Sequence, residues 1–132
     1  MPNPNWEYYV QVAEYVRLFP IAQYRGLEMG FEDELMDLTL REGERLLVCC
    51  EVKVNEIEMK NLVNKMKKYE PKIDRTADDR GNDPLRKAKY IDEHKPEYFY
   101  LLAIGARMEF RVEYISGKVF QLTPDTIPFI RD

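Results

Sequence analysis

The sequence predicts a single α/β domain, a mixed β-sheet flanked by helices in the order α-β-β-β-α-β, and three observations carry that expectation. The run RLLVCCEVKV (45–54) is nearly continuous, apolar and β-prone, as a strand covered on both faces should be. A second run of the same kind, EYFYLLAIGA (97–106), predicts a partner strand. Between them a helix opens with clear punctuation at Asn55. A chain of 132 residues has room for one hydrophobic core, so 1–132 is read as one unit.

Taken in order, residues 6–19 place Trp6, Tyr9, Val10, Ala13 and Val16 at helical spacing, a stripe expected to pack on the sheet. Pro20 predicts a break or a fresh helix start, and 21–30 reads as a turn of helix followed by a short strand. The segment ELMDLTLR (34–41) alternates apolar and polar residues around Asp37, and Glu42-Gly43-Glu44 is a tight connection into the central strand. Asn55 can cap the next helix, Glu58 stands at the capping-box position, and Val54 and Met59 are spaced as a hydrophobic staple. Met59, Leu62, Val63, Met66 and Tyr69 then form an apolar stripe, with Lys60, Lys67 and Lys68 on the opposite face, read as a solvated face in preference to a phosphate track. Residues 72–96 hold turn formers, mixed charge and few apolar anchors, which predicts a mobile insertion with a short helix near 85–91. RMEFRVEYI (107–115) alternates as a strand, and 118–122 reads as a short last strand after the Ser116-Gly117 turn.

Composition limits the function classes. Hydrophobic residues make up 45% and charged residues 33%, and the apolar runs are too short to span a bilayer. The N-terminus lacks a basic stretch followed by an apolar run, so a cytoplasmic location without membrane contact is expected. A net charge of −4 argues against a nucleic-acid binder that works through a basic face, yet leaves room for acids committed to a metal. Cys49 and Cys50 are adjacent in a strand and point to opposite faces, so they form no disulfide framework, and with His94 far along the chain no zinc site is visible. The nine tyrosines and six phenylalanines fall mostly at core-like spacing and are assigned no stacking role.

The chemistry is sought where charge ends a buried strand. Glu-x-Lys occurs at Glu51–Lys53, Glu58–Lys60 and Glu93–Lys95, but only the first closes an apolar strand with an acid, Asp37, on the strand before it. Alternation puts Glu51 and Lys53 on one face. If Arg41 and Arg45 close a hairpin over Glu42-Gly43-Glu44, Asp37 falls opposite Cys49 and becomes the diagonal neighbour of Glu51, roughly 7–8 Å away. Two such carboxylates offer the hard oxygen ligands that Mg²⁺ takes, and a lysine beside them can orient a water or stabilise phosphoryl charge.

MDLTL followed by VCCEVKV resembles the PD-(D/E)XK superfamily of restriction-type nucleases and Holliday junction resolvases, over residues 34–69. The resemblance implies a restriction endonuclease-like core and metal-dependent hydrolysis of DNA, or less readily RNA. Asp37 and Glu51 would hold Mg²⁺ or Mn²⁺ and Lys53 would assist the attacking water. Many members add an acid from the first helix; Glu14 is the first choice in this chain and Glu7 the second. Met36 stands where the named motif has proline, and no separate DNA-recognition segment is evident. So small a domain is expected to act as a homodimer. Were the 72–96 segment to fold over the site, Arg80, Arg86, Lys87 and Lys89 would become phosphate contacts; otherwise it is a solvated loop or a dimer arm. The competing readings are a strand end carrying an incidental ion pair, a non-catalytic scaffold of the same fold, and a small acidic inhibitor of a basic partner.

Overall fold

A computed structural model describes residues 5–33 and 35–131. Residues 1–4, at the head of the expected leader-free N-terminus, and Glu34, where the first alternating run was expected to begin, lie outside them. The elements are α1 (Trp6–Arg25), β1 (Glu28–Asp33), β2 (Met36–Glu42), β3 (Arg45–Val52), α2 (Glu56–Lys67), α3 (Asp83–His94), β4 (Tyr98–Ala103), β5 (Ala106–Glu113), β6 (Gln121–Pro124) and a terminal 3-10 turn, Pro128–Ile130. Six strands form one mixed sheet in sequence order. All neighbours are antiparallel except β3 and β4, which run parallel because α2 and α3 carry the chain back across the sheet.

The sheet separates two cores. On one face Cys49, Phe99, Leu101 and Phe110 pack with Met59, Leu62, Val63 and Met66 of α2 and with Ala88 and Ile91 of α3. On the other, Val48, Cys50, Val52, Tyr100 and Leu102 pack with Leu18 and Ala22 of α1 and with Ile127 and Ile130. Adjacent cysteines thus enter opposite cores, both free and buried, as strand alternation requires. The α2 cap forms as its sequence suggests, with Asn55 Oδ1 accepting from the Glu58 amide at 2.9 Å.

Four expectations are corrected. Helix α1 continues through Pro20, which lies on its exposed side, where the carbonyl that loses its helical partner can be met by water. Its buried face is Gln11, Glu14, Leu18 and Ala22, while Trp6, Tyr9, Ala13 and Val16 of the expected packing stripe are exposed. Residues 72–96 are no loosely anchored insertion: Ile73 joins the core, and α3 buries Leu85, Ala88, Tyr90 and Ile91. The last strand lies at Gln121–Pro124, a few residues later than 118–122. Among the described residues, no helix is long and apolar enough to cross a membrane.

Candidate active site at the open end of β3

A hairpin sets the geometry. The β2–β3 turn has two residues, Gly43 and Glu44, between the paired Glu42 and Arg45, and Gly43 takes φ +62° there. A two-residue turn carried through unbroken would bring Asp37 opposite Cys50, on the wrong face for Glu51. A bulge prevents this. Arg41 pairs with Leu46 and Leu40 with Val48, so Leu47 is the extra residue, and the register emerges as Thr39↔Cys49 and Leu38↔Cys50. Continued by one residue, it sets Asp37 level with Glu51. The expected diagonal pair is therefore a directly opposed one: two residues off in register, with the same face kept.

Each member is held by its neighbours. Gln11, buried on α1, donates to the Asp37 carbonyl at 3.0 Å and ties the helix to the start of β2. Asp37 Oδ2 accepts from the Val52 amide at 2.7 Å, which aims the carboxylate at the end of β3. At the edge of the same hairpin, Gly30 of β1 faces Thr39 so closely that an added Cβ would meet Thr39 Oγ1 at 2.3 Å, so no larger residue fits. Lys53, just past β3, donates its amide to the Leu102 carbonyl at 2.8 Å, and its Nζ lies 3.8 Å from Glu51 and 3.1 Å from Asp83.

Glu51 is the most perturbed of these groups. It is 5% exposed, and its Oε1 has no hydrogen-bond partner. Its other oxygen meets Lys87 Nζ at 3.0 Å, and that ammonium also donates to the Leu35 carbonyl and lies 3.6 Å from Asp83. Burial, and then the adjacent Asp37 carboxylate, push the Glu51 carboxyl up to about 8, and Lys87 offsets only part of this. Below that pH the Glu51 carboxyl carries a proton. Burial works against the charge on Lys53, but Glu51 and Asp83 outweigh it and hold its pKa above the ordinary value.

Beside the pair opens a groove of about 460 Å³ lined by Glu7, Lys53, Glu58, Asn61, Leu62, Lys65, Asp83 and Pro84. Glu7, Glu58 and Asp83 belong to the first turns of α1, α2 and α3, so three helix N-termini converge where β3 ends. In sheets with parallel neighbours, ligands enter at that end. The partial positive charge of the helix starts is met by these acids in the free protein. Burial raises the Glu7 carboxyl; Lys53 opposes this, and Asp37, Glu58 and Asp83 add to it.

The site so assembled differs from the expected one in its helix acid. Asp37, Glu51 and Lys53 come together, but Glu14 does not join them. It sits on the opposite face of the sheet, 4% exposed, bonded to Arg17 at 2.8 Å, to the Tyr100 hydroxyl at 2.7 Å and to Arg107 at 3.0 Å. Burial would raise its carboxyl, but Arg17, Tyr100 and Arg107 together lower it to about 2. Glu7, the second choice, is the α1 acid at the groove. Of the cations in 72–96, Lys87 reaches the site but is spent on Glu51; Arg80 pairs with Asp78, Lys89 lies 3.6 Å from Asp79, and Arg86 is exposed. Sequence reasoning missed Gln11 and Asp83, and it offered Lys87 as a phosphate contact where the structure pairs it with Glu51. Only α3 left a signal, Asn82 followed by Asp83-Pro84, an N-cap with proline in the first turn. Among the described residues no three His, Cys, Asp or Glu side chains stand close enough to form a ready metal cluster.

A pH prediction follows from Glu51. Its carboxyl is raised from an ordinary 4.5 to about 8, so between those values the native state holds a proton that the unfolded chain has released. Stability must then fall as pH rises through that window. Glu51→Gln, which mimics the protonated form, should gain melting temperature relative to the parent as pH rises from about 6 to 9. Thermal melts across that range check it; a difference that stays constant with pH would refute the raised carboxyl. In comparisons with known proteins, no family model matches the chain, no curated protein matches it, and no solved structure matches it.

Proposed function

We propose that the protein is a divalent-metal-dependent phosphodiesterase acting on nucleic acid, DNA in the first instance, with a site of PD-(D/E)XK type. One observation carries the reading: Asp37 and Glu51 oppose each other at the end of the central strands, with the buried Glu51 Oε1 unpartnered and Lys53 at the mouth of an open groove. The donor set fits a hard cation. Two adjacent carboxylates that repel one another, one with an orphaned buried oxygen, are relieved by an ion that accepts both. Asp37 and Glu51 would hold it, with Glu7 the nearest further acid. Bound Mg²⁺ or Mn²⁺ would supply charge neutralisation and Lewis acidity at the phosphoryl group. Lys53 extends from the same face to orient a water or meet a phosphate oxygen, and Lys65 and Asn61 line the groove along which a strand would lie. The element order, with three antiparallel strands, a helical crossover and a parallel fourth strand, supports a restriction endonuclease-like core.

A second reading has its own observation. Lys87, 7% exposed, already pairs with Glu51, as it would in a scaffold whose charges serve folding alone. Titration with Mn²⁺, Mg²⁺ or Ca²⁺ separates the two. A cation that binds the folded protein at a hundred times its Kd adds about 2.7 kcal/mol, a rise of several degrees in melting temperature. That rise is expected in the parent protein and should be absent in Glu51→Gln. No rise with any of the three ions, and no cleavage of DNA or RNA, would leave the scaffold.

A further inference from the structure

The outer face of α1 carries a seam that the fold does not use. Trp6, Tyr9, Ala13, Val16 and Pro20 are all exposed and recur at intervals of three and four residues, with Gln23 continuing the pattern. Strict three-four spacing is the period at which one helix packs along another. Between Tyr8 and Tyr24 no exposed position on this helix bears a charge, although 33% of the chain is charged. Tyr8, Phe19 and Tyr24 flank the seam, and Tyr8 and Tyr15 each contact Phe31 of edge strand β1 through ring edges.

We propose that this seam is a homodimer interface, in which α1 packs antiparallel against α1 of a second copy about a two-fold axis at Ala13. A three-four seam calls for a helix as its partner, and a seam without charge calls for a neutral one. The apolar faces of α2 and α3 are spent on the core, so among the described helices α1 alone has such a face to offer. A surface that meets its own copy must be self-complementary, and a charge-free seam meets itself without repulsion. The neighbouring β1 edge is less suited to self-pairing because a two-fold at Gly30 would set Glu28 of each copy against Glu32 of the other. Nucleic acid and anionic lipid are disfavoured by the absence of lysine and arginine along the seam. Antiparallel packing opposes the helix dipoles favourably, and the small Ala13 at the centre lets the helices approach. One helix pair of this length is at the low end of specific interfaces, so association is expected in the micromolar range.

The crossing geometry gives a sharp test. Helices about 9–10 Å apart, each with Cα atoms about 2.3 Å from its axis, bring the two Ala13 Cα atoms to about 4.4–5.4 Å, within reach of a disulfide. Ala13→Cys should therefore cross-link into a covalent dimer under mild oxidation, whereas the parent, whose two cysteines are buried, should not. Sedimentation velocity should show a monomer–dimer equilibrium in the parent, with Val16→Glu raising its dissociation constant at least about tenfold at unchanged circular dichroism. A parent monomeric up to several hundred micromolar overturns the proposal. So does a dimer that survives Val16→Glu and leaves Ala13→Cys uncoupled, which would place the interface elsewhere. A monomer that binds single-stranded oligonucleotide and loses it with Trp6→Ala also overturns it, in favour of a base-stacking surface.

Discussion

Glu14→Ala is expected to destabilise the protein by about 3 kcal/mol, a large loss for one truncated side chain. Glu14 receives Arg17, Arg107 and the Tyr100 hydroxyl, and Tyr100 is completely buried. Truncation leaves that hydroxyl without its acceptor and two guanidinium groups without their counter-charge. Breaking a buried pair from one side costs about 3–5 kcal/mol, and the lower end applies because both arginines keep some contact with water. The sign of the pH effect is fixed by the lowered carboxyl. Glu14 falls from an ordinary 4.5 to about 2, so its contribution is present above pH 4.5 and is lost as pH falls toward 2. Denaturant unfolding of parent and variant at pH 7 and at pH 3 measures both effects. The gap should be wide at pH 7 and narrower at pH 3; a gap below about 0.5 kcal/mol at pH 7 would mean that the network has no energetic weight.

The same residue shows where sequence reading stops. Glu14 and Gln11 look like solvent-facing positions on a helix whose apolar stripe is Trp6, Tyr9 and Val16. Their burial is made possible by partners far along the chain: Tyr100 and Arg107 for Glu14, and the Asp37 carbonyl for Gln11. No window of local sequence contains those partners, so periodicity chose the wrong face. The strands and α2 were legible because their signals are local: unbroken β-prone runs, an asparagine cap and a regular apolar stripe. Helix α3 falls between these cases. Leu85, Ala88 and Ile91 make its buried face, but lysines and acids dilute it, and one of the lysines, Lys87, is itself buried against Glu51.

The opposition of Asp37 and Glu51 was legible only up to parity. Alternation along each strand fixed which residues share a face, and the tight Glu42-Gly43-Glu44 connection fixed that the strands pair. The turn length was wrong by one and the Leu47 bulge went unseen, and these two departures act in the same direction. The net shift is even, so both carboxylates stay on one face and move from diagonal to directly opposed. Bulges are chosen by packing across the sheet, and at this one the Leu47 carbonyl accepts the Glu97 amide from the approach to β4.

Asp37→Asn and Lys53→Ala are expected to lower the proposed nuclease activity by about 10²-fold or more, with the fold intact. Asparagine at 37 keeps an oxygen that can accept the Val52 amide, so the strand end stays tied. It removes one of the two charges proposed to hold a cation and also removes the neighbour that raises the Glu51 carboxyl. Its melting temperature near pH 8 should therefore equal or exceed that of the parent, while the rise produced by Mn²⁺ disappears. Lys53→Ala leaves both carboxylates in place, so the Mn²⁺ rise should survive while turnover falls. That contrast assigns cation binding to Asp37 and a role in turnover to Lys53. Cleavage of a labelled DNA, measured with Mn²⁺ and with chelator on proteins purified identically, provides the readout. Activity that persists in both variants would locate the chemistry outside this site, and loss of the Mn²⁺ rise in Lys53→Ala would refute the division of roles.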